Sequence, residues 1–129
     1  MEKKTVKILN KNLIEGAELL ISNTRIIFAY KNFNIIKEGD MLFFILKEIR
    51  RELEKDDIFI LINGCRKDVW PSGMSSVGTR AYKTTMNKST TLNDLVDIFD
   101  DIDDFSLIST VDDQKGYHIN WINSLGLEQ

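Results

Sequence analysis

Between Leu42 and Ile62 the chain sets two apolar patterns of different period end to end, and few folds accommodate both. Leu42, Ile45, Leu46, Ile49 and Leu53 recur at three- and four-residue intervals, while Lys47, Glu48, Arg51, Glu52 and Lys55 fill the remaining arc. That is a helix with one docked face, and Gly39-Asp40 supplies the turn before it. The pairs Glu48/Glu52, Lys47/Arg51 and Arg51/Lys55 are like-charged at four-residue spacing, so the apolar stripe and not charge pairing must hold the helix. After Asp56-Asp57 the run Ile58-Phe59-Ile60-Leu61-Ile62 is continuously apolar. Such a run suits a strand covered on both faces, and predicts the middle of a sheet.

The flanking segments extend this pattern. Thr5–Leu9 reads as a short strand or lead-in, and Leu13, Ile14, Ala17, Leu20 and Ile21 fit a first helix over Asn12–Ile21. Ser22-Asn23 stops it, and Thr24–Phe33, rich in β-branched and aromatic residues, predicts a strand. Thr79–Met86 alternates weakly as a further strand, with Asn87–Thr91 as a polar turn. Leu92–Asp104 is either a short helix or an irregular acidic turn. Phe105–Thr110 reads as a strand, and Val111–Leu125 as a terminal helix, although Tyr117–Ile122 also alternates as a strand would. No repeat or composition break divides the chain. The expected fold is therefore α/β or α+β, a mixed β-sheet flanked by helices, forming a single globular domain over residues 1–129.

At 129 residues, 43% hydrophobic and 29% charged, with one Pro and seven Gly, the chain has the composition of an ordinary globular domain. Its one cysteine, Cys65, forms no intramolecular disulfide and reads as a small packed residue at a strand end. The basic start Met1–Lys7 leads into no apolar signal core, and no apolar stretch approaches the ~20 residues that cross a bilayer. The expected location is the cytoplasm, without membrane contact.

Charge is strongly segregated. Residues 1–91 carry a balance of +5, and residues 92–129 one of −8, with Asp94, Asp97, Asp100, Asp101, Asp103 and Asp104 inside eleven residues. Such self-repulsion opposes compaction, and three uses fit it: a solvated surface, a basic protein partner, or a metal ion. Asp97/Asp101 and Asp100/Asp104 would share a helix face, but no calcium-binding loop pattern surrounds them. Nucleic acid is not expected as a partner of so acidic a chain, although Arg50, Arg51, Arg66 and Lys67 could form a local basic patch.

Motifs for catalysis are sparse. His118 is the sole histidine, no Gly-x-Ser-x-Gly elbow or phosphate-binding glycine loop occurs, and no His/Cys cluster has zinc spacing. No cofactor is expected, and His118 reads as a structural or surface residue. The loop Asn63–Met74 is the other gathering of unusual residues. Either Asp68 pairs with Arg66 or caps the turn and Trp70 is partly buried, or Trp70 and Met74 are exposed anchors of an interface.

The Arg66–Met74 loop, the stretch Gly78-Thr79-Arg80-Ala81-Tyr82 and the segment Leu95–Asp101, in a small acidic chain, resemble the small bacterial immunity proteins that neutralise contact-dependent or other polymorphic toxins. The resemblance spans about half the chain and carries over no binding residue by motif. It implies a non-enzymatic inhibitor that occludes a toxin domain, often a nuclease with a basic active site. The candidate contact residues are then Asp97, Asp100, Asp101, Asp103 and Asp104, with Arg66, Asp68 and Trp70. A small metal-dependent enzyme using the Asp cluster and a structural subunit with Trp70 and Trp121 on a self-association surface are the alternatives; the sequence sets no oligomeric state.

Overall fold

The computed structural model describes residues 1–71 and 78–126. Two strands, β1 (Glu2–Asn10) and β2 (Leu13–Ile21), pair along their whole lengths, from Glu2 opposite Ile21 to Asn10 opposite Leu13. The two residues between them, Lys11 and Asn12, both have positive φ, 51° and 76°, the backbone of a turn whose twist matches that of the strands it joins. The first predicted helix is thus a strand. Its buried residues are Ala17, Leu19 and Ile21, a period of two, whereas Leu13 and Ile14, which completed the helical spacing, are 66% and 53% exposed.

The expected strand over Thr24–Phe33 is in fact a second hairpin. Strand β3 (Arg25–Tyr30) turns at Lys31-Asn32, with Lys31 at φ 51°, into β4 (Phe33–Glu38). Helix α1 (Leu42–Glu54) forms as predicted and buries Leu42, Phe43, Ile45, Leu46, Ile49 and Leu53. These side chains meet Val6, Ile8, Ala17, Leu19, Ile26 and Phe28 from one face of the sheet. The other face, carrying Lys7, Gly16, Glu18, Leu20, Ile27 and Ile36, is half-exposed or exposed.

Strand β5 (Ile58–Ile60) pairs antiparallel with β1 and ends the order β4-β3-β2-β1-β5, so it lies at the margin of this sheet rather than its middle. Its apolar continuity has another cause. Ile58, Ile60, Leu61 and Ile62 are all buried because the segment after Ile98 seals this margin. Asn63 N–H donates to Asp100 O at 2.9 Å, Ile102 N–H to Leu61 O at 3.3 Å, and Ile62 bridges Asp101. The acidic run is therefore pinned to the sheet by its backbone.

A second, smaller sheet has the order β6 (Val69–Trp70), β7 (Arg80–Lys83), β8 (Leu95–Asp97). All strand pairs among the described residues are antiparallel, where the sequence suggested a mixed sheet: two-residue turns join neighbours in both early hairpins, and β5 returns beside β1 in the opposite sense. The fold is α+β. Leu92–Asp104 resolves as an irregular segment containing β8, and the strand expected over Phe105–Thr110 is a 3₁₀ turn, Phe105–Leu107, followed by one bridge from Ile108 to Arg66.

The terminal helix α2 (Val111–Ser124) rules out the strand alternative for Tyr117–Ile122. It buries only Val111 and Gln114, while Ile119 and Ile122 stay 47% and 39% exposed. Its attachment is mainly polar. The Thr110 hydroxyl accepts from Asp113 N–H at 3.1 Å, and the Glu54 carboxylate of α1 accepts from Val111 N–H at 2.8 Å, so two orphan amides of the first turn are satisfied. Gln114 Oε1 accepts from Arg50 at 2.6 Å, and its Nε2 donates to the carbonyls of Gly64, Arg66 and Val69. Arg50 also reaches Ser109 O at 3.0 Å, and it is only 4% exposed. It therefore cannot join Arg51, Arg66 and Lys67 in a basic surface patch.

Candidate functional site

The acidic run contains carboxylates of two kinds. Asp97 is used internally: its two oxygens accept from the Thr79 hydroxyl at 3.0 Å and from Phe99 N–H at 2.8 Å. Asp104 caps the 3₁₀ turn, accepting from Ser106 N–H at 3.1 Å and the Ser106 hydroxyl at 2.6 Å. Those bonds, with a smaller contribution from nearby Arg66, hold its carboxyl below the usual range against a minor opposing effect of burial.

Asp100, Asp101 and Asp103 point into solvent. Asp100 faces Lys4 at 3.7 Å with 65% of its side chain exposed, a contact that adds little in water. Among the described residues no cation pairs with Asp101 or Asp103. In this ridge the backbone of Asp100–Ile102 is held by the seam along Leu61–Asn63, and Asp103 follows directly after it. The nearby cations are committed elsewhere: Arg66 forms a fork with Asp68, both bonds 2.8 Å, on side chains 17% and 16% exposed. Of the two possibilities for that pair, mutual ion pairing is the one observed.

Trp70 is half-buried and is no free-standing anchor. Its ring lies against Phe43 at 5.4 Å and Phe44 at 6.0 Å, and it stacks on His118 at 4.4 Å with 10° between planes. His118 in turn faces Trp121 at 6.0 Å, and the Trp121 N–H donates to Lys88 O at 2.9 Å. Together with Pro71, Tyr82, Thr84 and Thr90 these rings line a cleft of ≈ 280 Å³ between the small sheet and α2. The self-association surface considered for Trp70 and Trp121 is thus the two ends of one intramolecular stack. Met74, the other proposed anchor, lies outside the described residues.

The ridge and the cleft are linked through Asp68. Its carboxylate holds Arg66, which lies near Asp104, and its carbonyl accepts from Thr84 N–H at 2.7 Å and the Thr84 hydroxyl at 3.1 Å. Sequence reasoning placed Arg66, Asp68 and Trp70 together but missed the cleft, because Tyr82, Thr90, His118 and Trp121 come from distant segments. Burial lowers the His118 pKa, and its Nδ1 is buried without a hydrogen-bond partner. Burial pushes the Cys65 thiol up and away from thiolate, so it behaves as a core residue.

Among the described residues no three His, Cys, Asp or Glu side chains converge as metal ligands. Among them, too, no helix is long and apolar enough to cross a membrane. No family model matches the chain, and no curated protein matches its sequence.

Proposed function

We propose that the chain is a non-catalytic cytoplasmic binding protein that neutralises a basic toxin domain by covering its active site. The observation that carries this reading is the ridge Asp100-Asp101-Asp103: exposed carboxylates on and beside a backbone segment, Asp100–Ile102, that is bonded to the sheet margin, two of them without a counter-charge among the described residues. A fixed array of carboxylates imitates the phosphates a nuclease binds, and it gains from not having to be ordered at the moment of association. The resemblance to immunity proteins, carried partly by the loop that contains Arg66 and Asp68, supports the same conclusion.

The test is co-expression with a basic nuclease domain encoded in a neighbouring gene, where the neighbourhood holds one, followed by kinetics on the purified pair. Growth should be rescued, and the association rate should fall at least tenfold between low and high salt, as steered encounters do. Asp101→Lys with Asp103→Lys should slow association and leave the unfolding midpoint close to that of the parent, since neither side chain has an internal partner. Rescue that survives this double substitution, with an association rate indifferent to salt, would remove the ridge from the interface.

A further inference from the structure

The aromatic cleft has a composition that points to a ligand of its own. Both tryptophans of the chain lie in it, and none of its lining residues, Trp70, Pro71, Tyr82, Thr84, Thr90, His118 and Trp121, is an acid, a lysine or an arginine. Several of its polar groups have no partner among the described residues. Among the described residues the Trp70 indole N–H, the Tyr82 hydroxyl and the Thr90 hydroxyl make no hydrogen bond. The buried Nδ1 of His118 also has none, which favours the neutral ring with its proton on Nε2, because an unpaired lone pair costs less than an unpaired N–H.

The cleft is therefore walled by π faces and rich in donors. A guanidinium or ammonium is attracted by the π faces but only donates, and so leaves the Trp70 N–H without an acceptor. A phosphate finds no cation in the lining. The volume, ≈ 280 Å³, lies just below the roughly 300–1,000 Å³ of pockets for drug-sized ligands, so it suits one ring system. We infer that this cleft binds a neutral, planar nitrogen heterocycle of purine size, packed against its aromatic lining and accepting hydrogen bonds from Tyr82, Thr90 and Trp70. Ring nitrogens supply in-plane acceptors, and the ring face packs on the aromatic lining of the cleft. The site stands independently of the ridge, because it shares no residue with Asp100, Asp101 or Asp103.

Because the cleft holds both tryptophans, their fluorescence reports occupancy without a label. Adenosine should quench it saturably, with a dissociation constant on the order of 0.1–1 mM, the range open to a single stacked base. AMP and a short adenine oligonucleotide present the same ring with phosphate; both should bind several-fold more weakly, and tighter binding of either would overturn the assignment to a neutral ligand. Ribose alone should have no effect, and a response to it equal to that of adenosine would replace the heterocycle with a sugar. Tyr82→Phe with Thr90→Val removes the two hydroxyls while keeping the shape of the cleft. Since neither hydroxyl has a partner among the described residues, the unfolding midpoint should hold while adenosine affinity falls about three- to tenfold. Absence of saturable quenching in the folded parent protein, or unchanged affinity in the double variant, would refute the site.

Discussion

Replacing Gln114 by Leu tests what fastens the terminal helix to the rest of the molecule. Gln114 is 1% exposed, and its amide contacts both Arg50 and the three carbonyls of Gly64, Arg66 and Val69. Leucine keeps most of the volume and offers no donor or acceptor. The buried guanidinium of Arg50 then loses its 2.6 Å acceptor and retains only Gly64 O at 3.2 Å and Ser109 O at 3.0 Å. A hydrogen bond to a charged group contributes roughly 1.5–3 kcal/mol, and stranding buried carbonyls adds a further ~1–3 kcal/mol, so the loss should be about 3–5 kcal/mol. Against a typical total of ~5–15 kcal/mol this is a large fraction. It should appear in urea as a midpoint lowered by about 2 M at unchanged slope. Because the damage runs through Arg50, adding Arg50→Met should cost less than the two single losses combined, as removal of an uncompensated buried charge predicts. A Gln114→Leu midpoint within about 0.3 M of the parent, or strict additivity in the double variant, would mean that apolar contacts alone hold α2.

Three further outcomes follow from neighbouring features. A Cβ on Gly64 would meet Leu46 Cδ2 at 2.7 Å and the Ile98 backbone oxygen at 3.2 Å, so Gly64→Ala should destabilise by ~1–3 kcal/mol in the same urea assay; a neutral result would show that the packing of Leu46 and Ile98 around it relaxes freely. Cys65 is 1% exposed with its thiol pushed up by burial, so a thiol reagent should label it only as the chain unfolds, with the midpoint seen by circular dichroism, and prompt labelling of native protein would contradict its burial. Burial holds the His118 imidazole below its ordinary 6.5, so the unfolded chain binds that proton first: stability is full above 6.5 and declines as pH falls from 6.5 toward the depressed folded value. His118→Phe should flatten the decline in urea midpoint between about pH 7.5 and pH 5.5, a window above the carboxylates Glu15, Glu52 and Asp104, whose hydrogen bonds lower them from 4.5, 4.5 and 3.8; an equal decline in both proteins would place the effect elsewhere.

The strongest periodicity predicted the structure best. Helix α1 appears where its stripe put it, and one residue beside that stripe carried more information than its type suggested. Arg50 lies four residues after Leu46 and three before Leu53, on the docked arc, so its charge was bound to be buried. Where patterns were short, partners decided. The apolar residues of Leu13–Ile21 satisfy helical and alternating templates alike, and nine paired positions with β1 settle the matter in favour of a strand. The dipeptide Lys-Asn at residues 11–12 and again at 31–32 marked both hairpin turns, the second inside what the composition presented as one strand. Ile58–Ile62 shows the converse: a continuous apolar run reports burial on both faces, not a central place in the sheet.

The acidic run was visible as charge, but its division into structural and free carboxylates was not, since that depends on which oxygens meet Thr79, Phe99 and Ser106. Asp97 and Asp104 are consumed in shaping the ridge that Asp100, Asp101 and Asp103 present. Neutralising them is therefore expected to act through the backbone, and a loss of binding in Asp97→Asn alone would not identify a contact. The same distinction applies to Arg66 and Asp68, which satisfy each other and through Asp68 anchor Thr84 at the wall of the aromatic cleft. Substituting either residue should disturb ridge and cleft together. Asp101 and Asp103, whose side chains have no partner among the described residues, are the positions where charge can be changed without altering the fold, and there binding and stability separate.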